Sequence, residues 1–220
     1  MTKRKVSNPL ALAVLALLSE RPMHPYEMSS TLRERAKEES IKLNYGSLYS
    51  VVESLRRHGL IDVQENVREG RRPERTIYAI TEPGRIELVD WMSELLSIPV
   101  KEFTQFEAAL SLMPVIAPDD VLRLLEIRLV RLDAEIAAMG GVMDQMAQRG
   151  MPYLWAIEAD YARVLRRAER DFVRDLAEKI RAGTLEGVDV WRRAHEGGDL
   201  PSEEDWTRAV AHLRSIPESG

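Results

Sequence analysis

Eight apolar residues, Leu122, Leu125, Leu129, Leu132, Ile136, Met139, Met143 and Met146, follow one another at intervals of 3, 4, 3, 4, 3, 4 and 3. That is a heptad seam sustained over more than three heptads, and a helix is the regular structure that puts all eight on one side. The expected rod of about 28 residues is roughly 40 Å long. Gly140-Gly141 lies within it, at about 1 kcal/mol per glycine, so a close helix approach or a bend is expected there. Gly150-Met151-Pro152 then reverses the chain. A second long helix follows, with Leu154, Ile157, Tyr161, Val164, Ala168, Phe172, Leu176 and Ile180 on one side and dense Arg and Glu on the other.

Two helices alone enclose little core, and each buried leucine contributes about 1.5–3 kcal/mol. A second copy completes a four-helix arrangement and buries both seams. The expectation is therefore a homodimer through Leu122, Leu125, Leu129, Leu132, Ile136, Met139, Met143, Leu154, Ile157, Tyr161 and Val164. An intramolecular α-hairpin is the alternative.

The N-terminal part has a different grammar. Asn8 and Pro9 start a first helix, and Leu10–Leu18 is apolar all round, so that helix should be covered on more than one side. Lys3-Arg4-Lys5 before this run imitates a signal peptide. Ser19-Glu20-Arg21-Pro22 is no cleavage site, however, and the run is shorter than the roughly 20 residues a membrane span needs. Pro25 opens a second helix, with Met28, Leu32 and Ala36 as its core stripe. Asn44 caps a third, expected over Tyr45–His58 and stopped by Gly59. Leu48, Val51, Val52 and Leu55 form its core stripe. Its opposite face carries Gly46, Ser50, Glu53 and Arg57, flanked by Ser47, Tyr49 and Ser54.

After Gly59, residues 61–67 and 76–81 alternate with strand period. Between them runs Arg68-Glu69-Gly70-Arg71-Arg72-Pro73-Glu74-Arg75, four arginines in eight residues. Three helices and an Arg-rich hairpin make a winged helix-turn-helix, whose third helix suits a major groove and whose wing suits phosphate or a minor groove. Thr81 caps a fourth helix, with Leu88, Val89, Met92, Leu95 and Leu96 on one face.

Asn8 to Gly84 resembles the winged-helix domain of PadR-family transcriptional regulators. The resemblance is carried by His24-Pro25-Tyr26-Glu27-Met28, by Asn44-Tyr45-Gly46-Ser47-Leu48-Tyr49, and by Gly70-Arg71-Arg72-Pro73-Glu74-Arg75-Thr76-Ile77-Tyr78 followed by Thr81-Glu82-Pro83-Gly84. Many relatives have Gly where Pro25 stands and Gly-Thr-Leu-Tyr where this chain has Gly46-Ser47-Leu48-Tyr49. The resemblance implies double-stranded DNA as partner and, as in the larger PadR-like proteins, a C-terminal helical domain that dimerises. It also implies release of DNA on binding a small aromatic or amphipathic effector near the dimer interface. Trp91, Phe103, Phe106, Trp155 and Tyr161 are the candidate lining groups, with core packing as their other reading.

The expected fold is thus mainly α. Residues 1–97 form a winged-helix DNA-binding domain and 98–183 a helical dimerisation and sensor domain. Residues 184–220 form a polar extension with a short last helix after Ser202 and with Trp191 and Trp206 as anchors. The expected DNA contacts are Lys3, Arg4 and Lys5 as an arm, Tyr26, Asn44, Tyr45, Ser47, Tyr49, Ser50, Glu53 and Arg57 at the groove, and Arg71, Arg72 and Arg75 on the wing. Glu53 repels phosphate but can accept a hydrogen bond from cytosine.

Net charge is −5, which disfavours DNA in bulk. Residues 1–97 hold 15 basic and 14 acidic side chains, against 16 and 22 in 98–220, so attraction to phosphate must come from local clusters. There is no cysteine, which excludes disulfides and thiol chemistry and is compatible with a cytoplasmic location. The four histidines are scattered, and no nucleophile–base set, phosphate loop or metal spacing is present. No catalysis, cofactor, metal or membrane partner is expected. The function expected is a homodimeric repressor on an inverted repeat. A winged-helix protein-interaction module is the rival, which the acidic balance favours and the Arg-rich wing disfavours.

Overall fold

Asn8 accepts the Leu10 N–H through Oδ1 at 2.9 Å, and Pro9 opens α1 (Pro9–Glu20) as the capping pattern requires. The computed structural model describes residues 8–42, 44–67 and 75–197, and the chain divides into two compact units between Lys101 and Glu102. Among the described residues no helix is long and apolar enough to cross a membrane.

The first unit comprises α1, α2 (Pro25–Glu34), α3 (Tyr45–Arg57), β1 (Ile61–Val67), β2 (Arg75–Ile80) and α4 (Glu82–Ser97). Its core is built around α1. Leu10, Val14, Leu15 and Leu18 are fully buried against Met28 and Leu32 of α2, Leu48, Val52 and Leu55 of α3, and Trp91 of α4. The unbroken apolar run of α1 is thus used on several sides, leaving Leu12 half-buried and Ala16 exposed. α2 is shorter than its stripe suggested, because Ala36 adopts left-handed backbone at φ 53° beyond the helix end.

The wing is an antiparallel pair with Ile61 opposite Ile80 and Val67 opposite Arg75, and a bulge between Val63 and Glu65. Met23 and Tyr78 exchange backbone hydrogen bonds at 3.0 Å each way, which ties the α1–α2 link to β2. A second junction fixes α4. Thr81 Oγ1 donates to the Gly59 carbonyl at 2.7 Å and accepts the Gly84 N–H at 3.1 Å, while the Thr81 N–H donates to the Leu60 carbonyl at 3.1 Å. A Cβ on Gly84 would lie 2.0 Å from that same carbonyl oxygen. The Thr81–Gly84 motif is therefore explained by packing.

That junction also corrects the face expected of α4. Gly84, Leu88 and Trp91 line up at i, i+4 and i+7 toward the core, while Val89, Met92, Leu95 and Leu96 are exposed. The approach at Gly84 sets the helix rotation, and the longer apolar stripe lies outside the unit's core.

The second unit comprises α5 (Gln105–Ser111), α6 (Pro118–Gln148), α7 (Ile157–Ala182) and α8 (Val188–His195). α6 is the expected rod, 31 residues or about 46 Å long. Asp119 and Asp120 sit in its first turn, where carboxylates complement the helix dipole. The helix runs continuously through Gly140 and Gly141, and among the described residues nothing packs within 4 Å of a Cβ built at either, so the close approach expected there is not made by them.

Val121, Leu125 and Leu132 of α6 pack against Val173, Ala177 and Ile180 of α7. Arg166–Glu135 at 3.0 Å and Arg181–Glu126 at 2.7 Å cross the hairpin, as does Arg128–Glu169. The Arg128 guanidinium also lies 3.7 Å over the Phe106 ring. α8 folds back on the unit through Trp191, whose Nε1–H donates to the Ile116 carbonyl at 2.9 Å. Trp206 and the short helix expected after Ser202 lie outside the described residues.

Because a methyl group at residue 84 would have to occupy the space of the Leu60 carbonyl, Gly84→Ala is expected to destabilise the first unit. The expected loss is about 1–3 kcal/mol, as for overpacking, read as a lower thermal midpoint. An unchanged midpoint would show that the junction is slack.

Candidate nucleic-acid interface

The third helix is closed at both ends by its own sequence. Asn44, in extended backbone, accepts the Gly46 N–H through Oδ1 at 2.9 Å. Gly59 takes φ +70°, and this lets its N–H reach the Arg56 carbonyl at 2.9 Å and the Leu60 N–H reach the Leu55 carbonyl at 3.0 Å. This is the paired C-terminal closure that favours glycine. Leu48, Val51, Val52 and Leu55 are buried. With 100° per residue, Gly46, Ser50, Glu53 and Arg57 then share one line directly opposite the core, and all four are exposed.

Hydrogen bonding has already assigned part of this line. Ser50 Oγ donates to the Gly46 carbonyl at 3.0 Å. Glu53 is held by Arg56, with Nε to Oε2 and Nη2 to Oε1 both at 3.3 Å. That contact raises the Arg56 pKa above its ordinary value, and the pair partly neutralises the one carboxylate facing outward. Arg56 is not among the contacts expected from the sequence, although its i, i+3 spacing to Glu53 is visible there. Arg57 has no ion-pair partner among the described residues.

Ser47 is exposed, and Tyr49, 52% exposed, flanks the line. Tyr26 is exposed on the first turn of α2, where His24 caps the helix by accepting the Tyr26 N–H through Nδ1 at 3.0 Å. Lys3, Arg4, Lys5, Arg71 and Arg72, also expected at the DNA, lie outside the described residues. Tyr45 and Arg75 are placed by backbone alone, at the start of α3 and of β2.

The five aromatic groups expected around an effector divide between the two units, Trp91 in the first and Phe103, Phe106, Trp155 and Tyr161 in the second. Trp91 is a core residue of the first unit, 4% exposed. Phe106 packs in the second unit beneath Arg128. Phe103 is exposed, and so are Trp155 and Tyr161 near the start of α7. There the Tyr153 hydroxyl donates to Asp160 at 2.7 Å and Arg163 donates to it at 2.8 Å. The Tyr153 hydrogen bond first, then that of Arg163, holds the Asp160 carboxyl below its ordinary pKa. A ligand-sized opening that the sequence did not suggest lies in the first unit, a groove of about 320 Å³. Leu12, Ala16, Leu32, Ile41 and Met92 line it, with the Glu20–Arg35 ion pair at 2.6 Å on its rim. Among the described residues no group of three or more His, Asp or Glu side chains is placed to hold a metal ion.

The expected dimer seam divides in two. Leu125, Leu132 and Ile136 are buried within the chain, and Leu122, Leu129, Met139 and Met143 are half-buried. Leu154, Ile157, Tyr161 and Val164 are exposed, and they continue into exposed Phe172.

Residues 14–90 match the model of the transcriptional regulator PadR-like family. A comparison with curated proteins finds no match. Among solved structures, Bacillus subtilis PadR in complex with operator DNA is 18% identical with a TM-score of 0.62, over 79% of this chain and 99% of that one. The same protein in complex with p-coumaric acid gives 16% and 0.62 over 78% and 98%. The PadR-like transcriptional regulator BC1756 from Bacillus cereus gives 19% and 0.51 over 81% and 99%. At these identities the likeness is one of fold.

A Cβ at Gly46 would meet only Asn44 Oδ1, at 3.5 Å, an ordinary contact. The fold therefore has no need of glycine there, and a bare backbone at that point is what a helix laid close against a duplex would use. Gly46→Ala should raise stability by about 0.5–1 kcal/mol yet weaken duplex binding about tenfold, equivalent to 1.4 kcal/mol. Parallel melting and DNA titration check this. Binding that rises with stability would place the interface elsewhere.

Proposed function

We infer that residues 14–90, which match the model of the transcriptional regulator PadR-like family, form a DNA-binding domain of that kind, in a family of regulators and not of enzymes. From that premise we propose that it is a DNA-binding repressor, acting in the cytoplasm as a homodimer on an inverted-repeat operator and releasing it when a small aromatic compound binds. The observation that carries this reading is the exposed line Gly46–Ser50–Glu53–Arg57, opposite the buried stripe of α3. A helix about 10–12 Å across fits a major groove about 12 Å wide. In such a pose the wing strands β1 and β2 would flank the helix.

Dimerisation is supported by what the hairpin leaves uncovered. Ile157, Tyr161, Val164 and Phe172 form an exposed stripe along α7, and Leu124, Ile127 and Val130 are exposed on α6. Long apolar stripes of this kind are normally covered by a partner. A second copy is the partner that also presents α3 twice, with half-sites one turn, about 10 bp, apart or a multiple of it. The effector part of the reading leans on a relative of the same fold solved with p-coumaric acid, and on exposed Trp155 and Tyr161.

Affinity for the chain's own upstream duplex should fall by about 10³–10⁵ between 50 and 200 mM salt if 6–10 phosphates are contacted. Absence of binding at low salt would refute the reading. Repeated with a panel of small phenolic acids, the same titration reads release, and a complex indifferent to all of them removes the effector. Val164→Asp adds a charge to the α7 stripe without disturbing the buried face, so it should shift sedimentation from dimer to monomer. A wild-type monomer at micromolar concentration would remove the dimer.

A further inference from the structure

The outward line of α3 is chemically one-sided. Ser50 has committed its only hydrogen to the Gly46 carbonyl, so toward a partner it offers lone pairs alone. The Glu53 carboxylate has no hydrogen to give, and Arg56 occupies two of its roughly four acceptor positions, one on each oxygen. Two acceptor positions remain free, on a group whose charge Arg56 has already reduced. Arg57, next on the line, can only donate. The order along the line is therefore acceptor, acceptor, donor.

The major groove offers few donors to match. Its only amino groups are N4 of cytosine and N6 of adenine. Adenine sets an acceptor, N7, beside its amino group, and bidentate reading of adenine calls for a side chain with both a donor and an acceptor. A side chain that only accepts meets the adenine N7 lone pair unfavourably. Cytosine shows an amino group and no acceptor on its own edge. Spacing agrees. Ser50 and Glu53 are three residues apart, about 4.5 Å along the axis, close to one base step of about 3.4 Å. Arg57 lies about 6 Å further, and guanine O6 and N7 are its best partners.

We infer that α3 specifies its half-site through cytosine amino groups, accepted by Glu53 and, one step away, by Ser50, with Arg57 taking a guanine beyond them. This rests on the DNA-binding reading above. Arg56 then acts through its neighbour: it positions the Glu53 carboxylate and lowers the repulsion between that carboxylate and the phosphates lining the groove. Glu53 is the specificity residue of the helix.

The test is selection of bound sequences from a randomised duplex pool with the full-length chain, run beside Glu53→Gln. Glu53 is exposed, and glutamine keeps its shape and helix propensity, so both proteins fold. The wild-type chain should enrich cytosine at one position per half-site, with about 5- to 150-fold discrimination against the other bases. Glu53→Gln, which gains a donor, should move that preference from cytosine to adenine while the guanine position stays. Replacing the selected cytosine by N4-methylcytosine should weaken the wild-type complex and leave the variant's adenine-containing site unaffected. Selective binding without cytosine enrichment, or an unchanged preference in Glu53→Gln, overturns the inference while DNA binding stands. Failure to enrich any sequence overturns both.

Discussion

Burial of Leu48, Val51, Val52 and Leu55 against α1 is the constraint on which the proposed DNA-facing surface depends. A helix has one rotational degree of freedom about its axis, and a stripe of four branched side chains in a close-packed core removes it. A rotation of one residue, 100°, would exchange a buried leucine for a serine or a tyrosine. The outward line is therefore as firmly set as the core itself. α1 supports this because its apolar run lets it serve α2, α3 and α4 at once.

The second constraint is the junction at Gly59, Leu60, Thr81 and Gly84. The backbone leaves α3 through a left-handed glycine and enters β1. It returns through β2 to a threonine whose hydroxyl reaches back to the Gly59 carbonyl at 2.7 Å. This loop of bonds joins helix, wing and α4 within a few ångströms, so wing and α3 are carried as one piece. It needs one residue without a side chain, because the Gly84 Cα faces a carbonyl oxygen. Hydrogen bonds from the Thr81 hydroxyl and backbone to the Gly59 and Leu60 carbonyls hold this corner.

In the second unit the balance differs. The hairpin buries one edge of each seam and crosses it with arginine–carboxylate pairs, mostly on exposed side chains that contribute little individually. Most of the expected apolar stripe of α7, from Ile157 to Phe172, stays at the surface. Intramolecular packing of two helices can cover only one face of each, and a sequence with apolar residues on two faces is written for more than two helices.

Much of this was legible in one dimension. The α6 rod, the caps at Asn8 and Asn44, the stop at Gly59, the two wing strands and the core stripe of α3 follow from periodicity and from residues whose backbone preferences are strong. The outward set Gly46, Ser50, Glu53 and Arg57 follows from the same periodicity. Tertiary structure alone decided which of two competing apolar stripes each helix buries. On α4 the contact at Gly84 turned Trp91 inward and left Leu95 and Leu96 outside, and on α7 Val173 and Ala177 prevailed over Tyr161 and Val164. Spacing lists the faces a helix possesses, whereas the neighbour's shape selects among them. The same holds for the direction of a hydrogen bond. The sequence supplies a serine, a glutamate and an arginine, and only the folded helix shows that the serine's proton and the glutamate's charge are already engaged.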